Sequence, residues 1–394
     1  MARWLLIIVS LLPASAVFAA EEEAPKPLET FPVATRGNMV LLPVRVWDQS
    51  RILLFDTGAS TTCFDLSERK RLGSDIGEVR IHAALGSLLT NAYSAPAMTL
   101  GNLPLLPTMR VVCFNLAPLR EAADTDFDAI LGIESLMPFI VQIDFDRGVL
   151  KVFAAGSSDP AWGDPVPLWF NPRGNPKMEL TLCGVKRTYL IDTGADGIFI
   201  DRRLCAKLTE LGKLRPVGSG AQLGLLGRME STTYAAGQVE LGRFKHSNLR
   251  VDDGQNNIVG LKYLARYCVT FDFPNRTLYL RPGVRYSDPD DDPKDLSGLH
   301  VIESHGKLRI DWIDDGGPAE AAGLQVGDQI ARVDRKDAAG YRLLELRKLF
   351  ASREGRKIQL TTIRAGETRE VEIILRAPTP PSEKADAGRA PKTE

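Results

Sequence analysis

The stretch that begins at Arg36, "RGNMVLLPVRVWDQSRILLFDTGASTTCFD", alternates apolar and polar positions, breaks at "WDQS", then runs apolar up to Asp56. A period of two marks a strand with one buried face, and a short break between two such runs predicts a hairpin. The pattern returns from Arg173 as "RGNPKMELTLCGVKRTYLIDTGADGIFID", with "CGVK" at the turn and Asp192 ending the apolar run. Further along, "YSAPAMTLGNL" from Tyr93 is echoed by "YAAGQVELGRF" from Tyr234. Likewise "AILGIESLMPFIVQIDFDRGVLKV" (129–152) is echoed by "NIVGLKYLARYCVTFDFPNRTLYL" (257–280). Helix-like patches, "LSERKRLG" and "DRRLCAKLTELGK", follow the two Asp motifs. The pattern predicts two homologous, mainly β halves, 31–156 and 157–283. Two copies are too few for a solenoid, so a pseudo-twofold pair is the natural packing, with Asp56 and Asp192 meeting at the axis.

The pattern then changes. An acidic, proline-broken stretch, "DPDDDPKDL", reads as a linker within 284–296. Residues 297–377 mix periods: a short helix, a glycine turn and a strand in "GGPAEAAGLQVGDQIARV", a helix in "LLELRKLFAS", and a hairpin in "KIQLTTIRAGETREVEIIL". The Pro-rich, polar remainder, 378–394, reads as disordered. At the other end, "MARWLLIIVSLLPASAVFAA" has a basic start, an apolar core and small residues before an abrupt "EEEAPKP". Residues 1–20 therefore read as a signal peptide, and the chain as exported, to a periplasm or the outside. That apolar run is short for a bilayer, and no later stretch is long enough, so no stable membrane span remains after cleavage.

Composition changes this picture little. Apolar content of 44 % and charged content of 25 % are those of ordinary soluble domains. A net charge of −1, with no run of Lys and Arg, argues against a nucleic-acid partner. The five cysteines are odd in number and not closely paired, which suits buried thiols with one or two bridges at most. The four histidines are scattered, and no metal spacing is present.

The chemistry concentrates at the two aspartates. Like charges a few ångströms apart raise one another's pKa, so such a pair holds one proton between them. The charged member can activate a water while the protonated member polarises a carbonyl. "DTGAS" and "DTGAD", each after an apolar run, resemble the active-site triplets of pepsin-like and retropepsin-like aspartic proteases. "ILG" (130–132) and "IVG" (258–260) resemble the element that braces each triplet in that family. The resemblance runs from about residue 36 to 280 and implies retropepsin-like β domains around a shared cleft. It makes Asp56 and Asp192 the catalytic dyad, Thr57 and Thr193 cross-axis supports, and Gly58 and Gly194 turn residues. It also implies that Ser60 orients the Asp56 carboxylate and that Asp196 helps hold substrate backbone. "AALGSLLTNAY" and "GAQLGLLGRMESTTY" lie where hairpin flaps would cover the cleft. No cofactor is implied.

"GGPAEAAGLQVGDQIARV" resembles the core of PDZ domains, α+β modules that add an extended peptide to a sheet edge. The resemblance places the peptide-binding loop and strand at Gly298, Leu299, His300 and Val301. Because this loop departs from the usual form, three occupants stay open: a terminal carboxylate, an internal segment, or the protease itself. The expectation is an exported aspartic endopeptidase acting on peptide or protein substrate, with a PDZ module that recruits or gates. The alternative is a non-catalytic peptide-binding pseudo-protease or a PDZ-led adaptor.

Overall fold

The computed structural model describes residues 24–376 apart from 36–38, 84–85, 106–109, 124, 291–294 and 305. The expected signal peptide and tail, and part of the expected linker, lie outside the described residues.

Each Asp-bearing run is the inner strand of a lobe. Gln49–Asp56 pairs antiparallel with Leu41–Val46 and parallel with Ala129–Gly132, in a register that sets Gly132 beside Asp56. Ala129–Gly132 pairs in turn with Cys63–Asp65, the strand that follows the Asp loop. The second lobe repeats the arrangement: Val185–Ile191 lies between Pro176–Leu182 and the parallel Ile258–Val259, which also pairs with Ile198–Asp201. Each inner strand starts exposed and is buried towards its end, which is where its apolar run lies. Leu53, Phe55, Tyr189 and Ile191 are fully buried.

The turns that start these strands are alike. Trp47 and Asp48 both take positive φ (49° and 61°), as do Cys183 and Gly184 (48° and 80°). Two left-handed residues in a row make the hairpin turn that matches strand twist. Trp47 offsets the strain of that conformation by packing on Phe64, at 5.2 Å between ring centroids, beneath the Arg71 guanidinium.

A six-stranded sheet joins the halves. Its order is Glu29–Pro32, Val149–Phe153, Ile140–Asp144, then Tyr267–Asp272, Thr277–Pro282 and Asp164–Pro167. Either edge leads inward through the first strand of a half and then its closing hairpin, so the sheet has the symmetry of the repeat. At its centre Gln142 sits opposite Thr270, and the Gln142 amide donates to the Thr270 hydroxyl at 2.9 Å. One hydrophobic cluster runs through both halves, from Phe31 to Leu280.

The C-terminal unit has its own core. Its strands follow the order Leu299–Ser304, Lys307–Ile313, Gln329–Val333, Lys357–Arg364 and Glu367–Ile374, with helices Pro318–Ala321 and Leu343–Phe350. In "GLQVGDQI", Asp328 is buried because it accepts from the Gln325 amide and from two nitrogens of Arg364, at 2.6 and 2.7 Å. A fixed guanidinium fork matches a carboxylate in this way. The chain is thus mainly β, with a small α+β unit at the end.

Two expectations need amending. All five cysteines are free, four of them buried, so the bridges allowed by their number do not form. The start of the expected linker is also not free-standing. Arg266 donates to the carbonyls of Tyr286 and Asp288, and the Arg250 amide donates to Asp290, which holds this stretch on the second lobe.

Candidate active site

The two Asp-Thr-Gly loops meet where the lobes meet. Thr57 and Thr193 are both fully buried and bond in a crossed, reciprocal pattern. The Thr57 amide donates to the Thr193 hydroxyl and the Thr193 amide to the Thr57 hydroxyl, each at 3.0 Å. Each hydroxyl then donates across the axis, Thr57 to the Ile191 carbonyl and Thr193 to the Phe55 carbonyl, both at 2.7 Å. Every donor and acceptor in this buried square is satisfied, so the loops have one relative position.

That position puts each carboxylate against the opposite loop. A Cβ added at Gly58 would lie 2.5 Å from the Asp192 carboxyl carbon, and one at Gly194 would lie 2.6 Å from that of Asp56. Glycine is needed here because the other lobe's carboxylate fills the side-chain space. Within its own loop, Asp56 accepts from the Gly58 and Ala59 amides at 2.7 and 3.1 Å, and Asp192 from Gly194 and Ala195 at 2.8 and 3.1 Å. Burial raises the pKa of both carboxyls, and the negative charge of Asp56 raises Asp192 further. The two are hydrogen-bonded to each other and titrate as a pair.

Around this pair the lobes differ. Ser60 makes no hydrogen bond to either carboxylate among the described residues, so it does not orient Asp56. The Gly58 and Ala59 amides hold that carboxylate instead, because the turn aims them at it. Asp196 is exposed and ion-paired with Lys262 at 3.2 Å, and its carbonyl accepts from the Lys262 amide. The position in the first lobe that corresponds to Lys262 holds Glu134. Its Oε1 accepts from the Thr62 amide and hydroxyl at 2.7 and 2.8 Å, while its Oε2 is buried without a partner. Burial pushes Glu134 up to about 7. Asn175, buried, donates its side-chain amide to the carbonyls of Thr57 and Gly58 at 3.1 and 2.9 Å, bracing the first loop from the second lobe. The repeated "RGN" was the signal for Asn175. Nothing local marked Glu134.

Two hairpins reach towards the site. One is Asp75–Ala83 with Gly86–Ser94, the other Leu214–Gly224 with Gly227–Leu241. Tyr93 and Tyr234 serve as strand-packing residues in them, the first fully in the core and the second against its edge. A Cβ at Gly86 would come within 3.8 Å of Leu226, so the tips are neighbours. Leu225 packs on the first-lobe cluster that includes Leu54 and Ile130, against which Ala59 of the Asp56 loop also packs. The second hairpin therefore lies across the gap between lobes as a closed lid.

The lid also touches the C-terminal unit. Arg228 ion-pairs with Asp311, and its guanidinium lies 5.4 Å from the centre of the Trp312 ring. Helix Ala117–Ala123 of the first lobe contacts both the lid strand Leu214–Gly224 and the strand Leu299–Ser304. In the C-terminal unit, Leu299–Ser304 is an edge strand, and helix Leu343–Phe350 packs beside it to form a groove. The PDZ domain family matches residues 294–375. The chain carries a PDZ domain. No curated protein matches the chain. Of the residues expected to bind peptide in the PDZ domain, Gly298 turns the chain at φ +66°, Leu299 and Val301 face the core, and His300 pairs with Asp314 at 2.9 Å.

Two substitutions test this site. Thr57→Val keeps the shape but strands the Thr193 amide and the Ile191 carbonyl, which should cost about 2–3 kcal/mol in urea unfolding. Combined with Thr193→Val, the loss should fall short of the sum, because both sit in one network. Glu134→Gln tests the buried carboxyl. A raised folded pKa stabilises the fold below the unfolded value of 4.5, and that stability is lost as pH rises through about 7. Gln stays neutral throughout, so the variant should gain on the parent by roughly 3 kcal/mol between pH 4 and pH 8.

Proposed function

We propose that this chain is an exported aspartic endopeptidase, whose Asp56–Asp192 pair activates water and whose PDZ domain gates access to it. The observation that carries the reading is the crossed threonine square, which holds two half-buried carboxyls, each against the other's loop, at the junction of two equivalent loops. Burial and mutual repulsion keep one proton on the pair. With a peptide under the lid, the ionised carboxylate takes a proton from the water as its oxygen attacks the scissile carbonyl. The protonated carboxyl gives its proton to the carbonyl oxygen. Collapse of the tetrahedral intermediate breaks the C–N bond: the amine takes the proton that the first carboxyl gained from water, and a hydroxyl of the intermediate returns a proton to the second. No cofactor enters these steps. Activity should fall as pH rises and the pair loses its last proton. The export assignment rests on the leader-like first twenty residues.

The Arg228 contact supports gating. The lid that covers the proposed cleft is tied to the PDZ domain by an ion pair and a cation–π contact, both partly shielded from water.

Asp56→Asn and Asp192→Asn should each lower cleavage of a mixed peptide pool at least a thousandfold while leaving cooperative unfolding in place. Full activity in either variant overturns the dyad. Asp192→Asn should also be more stable than the parent at neutral pH, because a raised carboxyl pKa destabilises the fold once the group ionises. Arg228→Ala frees the lid and should raise the cleavage rate several-fold, with faster amide exchange across 214–241. An unchanged exchange pattern removes the gating role.

A further inference from the structure

In a PDZ domain an extended peptide pairs with the edge of one strand, beside the helix that closes the groove. Here that strand is Leu299–Ser304, whose partner within the domain is Lys307–Ile313. It is not left bare, because helix Ala117–Ala123 of the first lobe lies against it. A helix shields a strand edge without continuing the sheet. Among the described residues, no backbone hydrogen bond joins this helix to the strand. The edge is therefore covered while its capacity for pairing stays unused.

The cover belongs to the first lobe. Arg120 ion-pairs with Asp65 at 3.0 Å and donates to the Phe127 carbonyl at 3.2 Å, and the Leu116 amide donates to Asp65 at 3.1 Å. Leu116 is fully buried, and Leu119 packs on the same apolar cluster as Leu225 of the lid. The helix also touches the lid strand Leu214–Gly224. The lid in turn is tied through Arg228 to Asp311 and Trp312, on the strand next to the covered edge. Helix, lid and PDZ domain thus form one junction, in which each touches the other two.

We propose that helix Ala117–Ala123 is a reversible cover on the PDZ edge strand, so that docking of an extended peptide and closure of the lid exclude each other. A peptide strand pairs at about 4.8 Å from its neighbour, in space that the helix has to leave. Seating it moves the PDZ domain off the first lobe and takes Asp311 and Trp312 away from Arg228. The ligand gains main-chain hydrogen bonds along Leu299–Ser304. The chain loses a short helix contact and one partly exposed ion pair, which are weak enough to exchange for a bound peptide. Control of access rests on the gating proposed above, whereas the competition between helix and peptide holds whether or not the chain hydrolyses peptides.

The test uses the full chain carrying Asp56→Asn and Asp192→Asn, so that probes stay intact. The probe is a degenerate pool of ten-residue peptides, and its retention by immobilised protein is read by mass spectrometry. Two further substitutions open the junction from opposite sides. Glu121→Pro breaks the helix, since proline removes a helical hydrogen bond and clashes with the preceding turn. Arg228→Ala unties the lid. Each should raise retention about fivefold over the parent, because retention scales with the fraction of chains whose edge strand is uncovered. Bound peptide should slow amide exchange in 299–304 and speed it in 214–241. Retention equal to the parent's in either folded variant overturns the inference, and so does no retention by any of the three. Bound peptide that leaves exchange in 214–241 unchanged also overturns it. If Glu121→Pro loses exchange protection in 129–144, the first lobe has unfolded and Arg228→Ala decides. Cleavage is read separately with both aspartates intact: a chain that passes the binding test without hydrolysing peptide loses the endopeptidase reading and keeps the competition.

Discussion

The crossed bonds between Thr57 and Thr193 are the constraint on which the rest of the arrangement depends. Each hydroxyl accepts from the opposite amide and donates to the carbonyl before the opposite Asp. In this placement of the loops these buried groups satisfy one another. The six-stranded sheet brings the lobes together, and Gln142 and Thr270 mark its centre. The threonines convert that coarse pairing into a defined separation of two carboxyls. Asn175 adds a brace from one side only.

The symmetry stops a few residues from the axis, where the charges diverge. The second loop is held by an exposed Lys262–Asp196 ion pair, a contact water screens and that contributes little. The first is held by Glu134, buried on Thr62, with a pKa near neutrality. A duplicated backbone thus supports two loops with different charged surroundings. One side of the proposed cleft is held by a surface ion pair, while the other carries a third carboxyl that the charge of Asp56 helps to raise. This is an expected outcome of duplication, in which shared geometry is retained while the surrounding side chains specialise.

Above the carboxyls, the second lobe's lid belongs to three neighbours at once. Leu225 and Leu226 reach the first lobe and its hairpin, and Arg228 reaches Asp311 and Trp312 of the PDZ domain. Opening the lid therefore has to release apolar and charged contacts together. The PDZ groove lies one strand away from that contact, since Leu299–Ser304 pairs with Lys307–Ile313, which carries Asp311 and Trp312. A peptide added to the edge strand would act on the neighbour of the strand that holds the lid.

Much of this molecule is legible along the chain because its signals are local and repeated. Period-two runs that end in Asp-Thr-Gly, the paired "ILG" and "IVG", and the "GLQVGDQI" run each report a strand, turn or buried bond within a few residues. Duplication then makes a twofold pairing the economical packing. The threonine pair and the glycines that face opposite carboxyls lie inside those motifs. Other features depended on residues far apart in sequence coming together. Asn175 reaches the loop of the other lobe, Arg228 finds Asp311, Glu134 loses water only when Thr62 and Gly132 close around it, and Ser60 stands aside because nearer amides hold Asp56. The sequence by itself determined the strands, the repeat and the two carboxylates, since backbone periodicity and turn chemistry act over short range. Only the tertiary structure decided which groups are buried, how their charges are shifted and what holds the lid, because burial and electrostatics belong to the packed assembly.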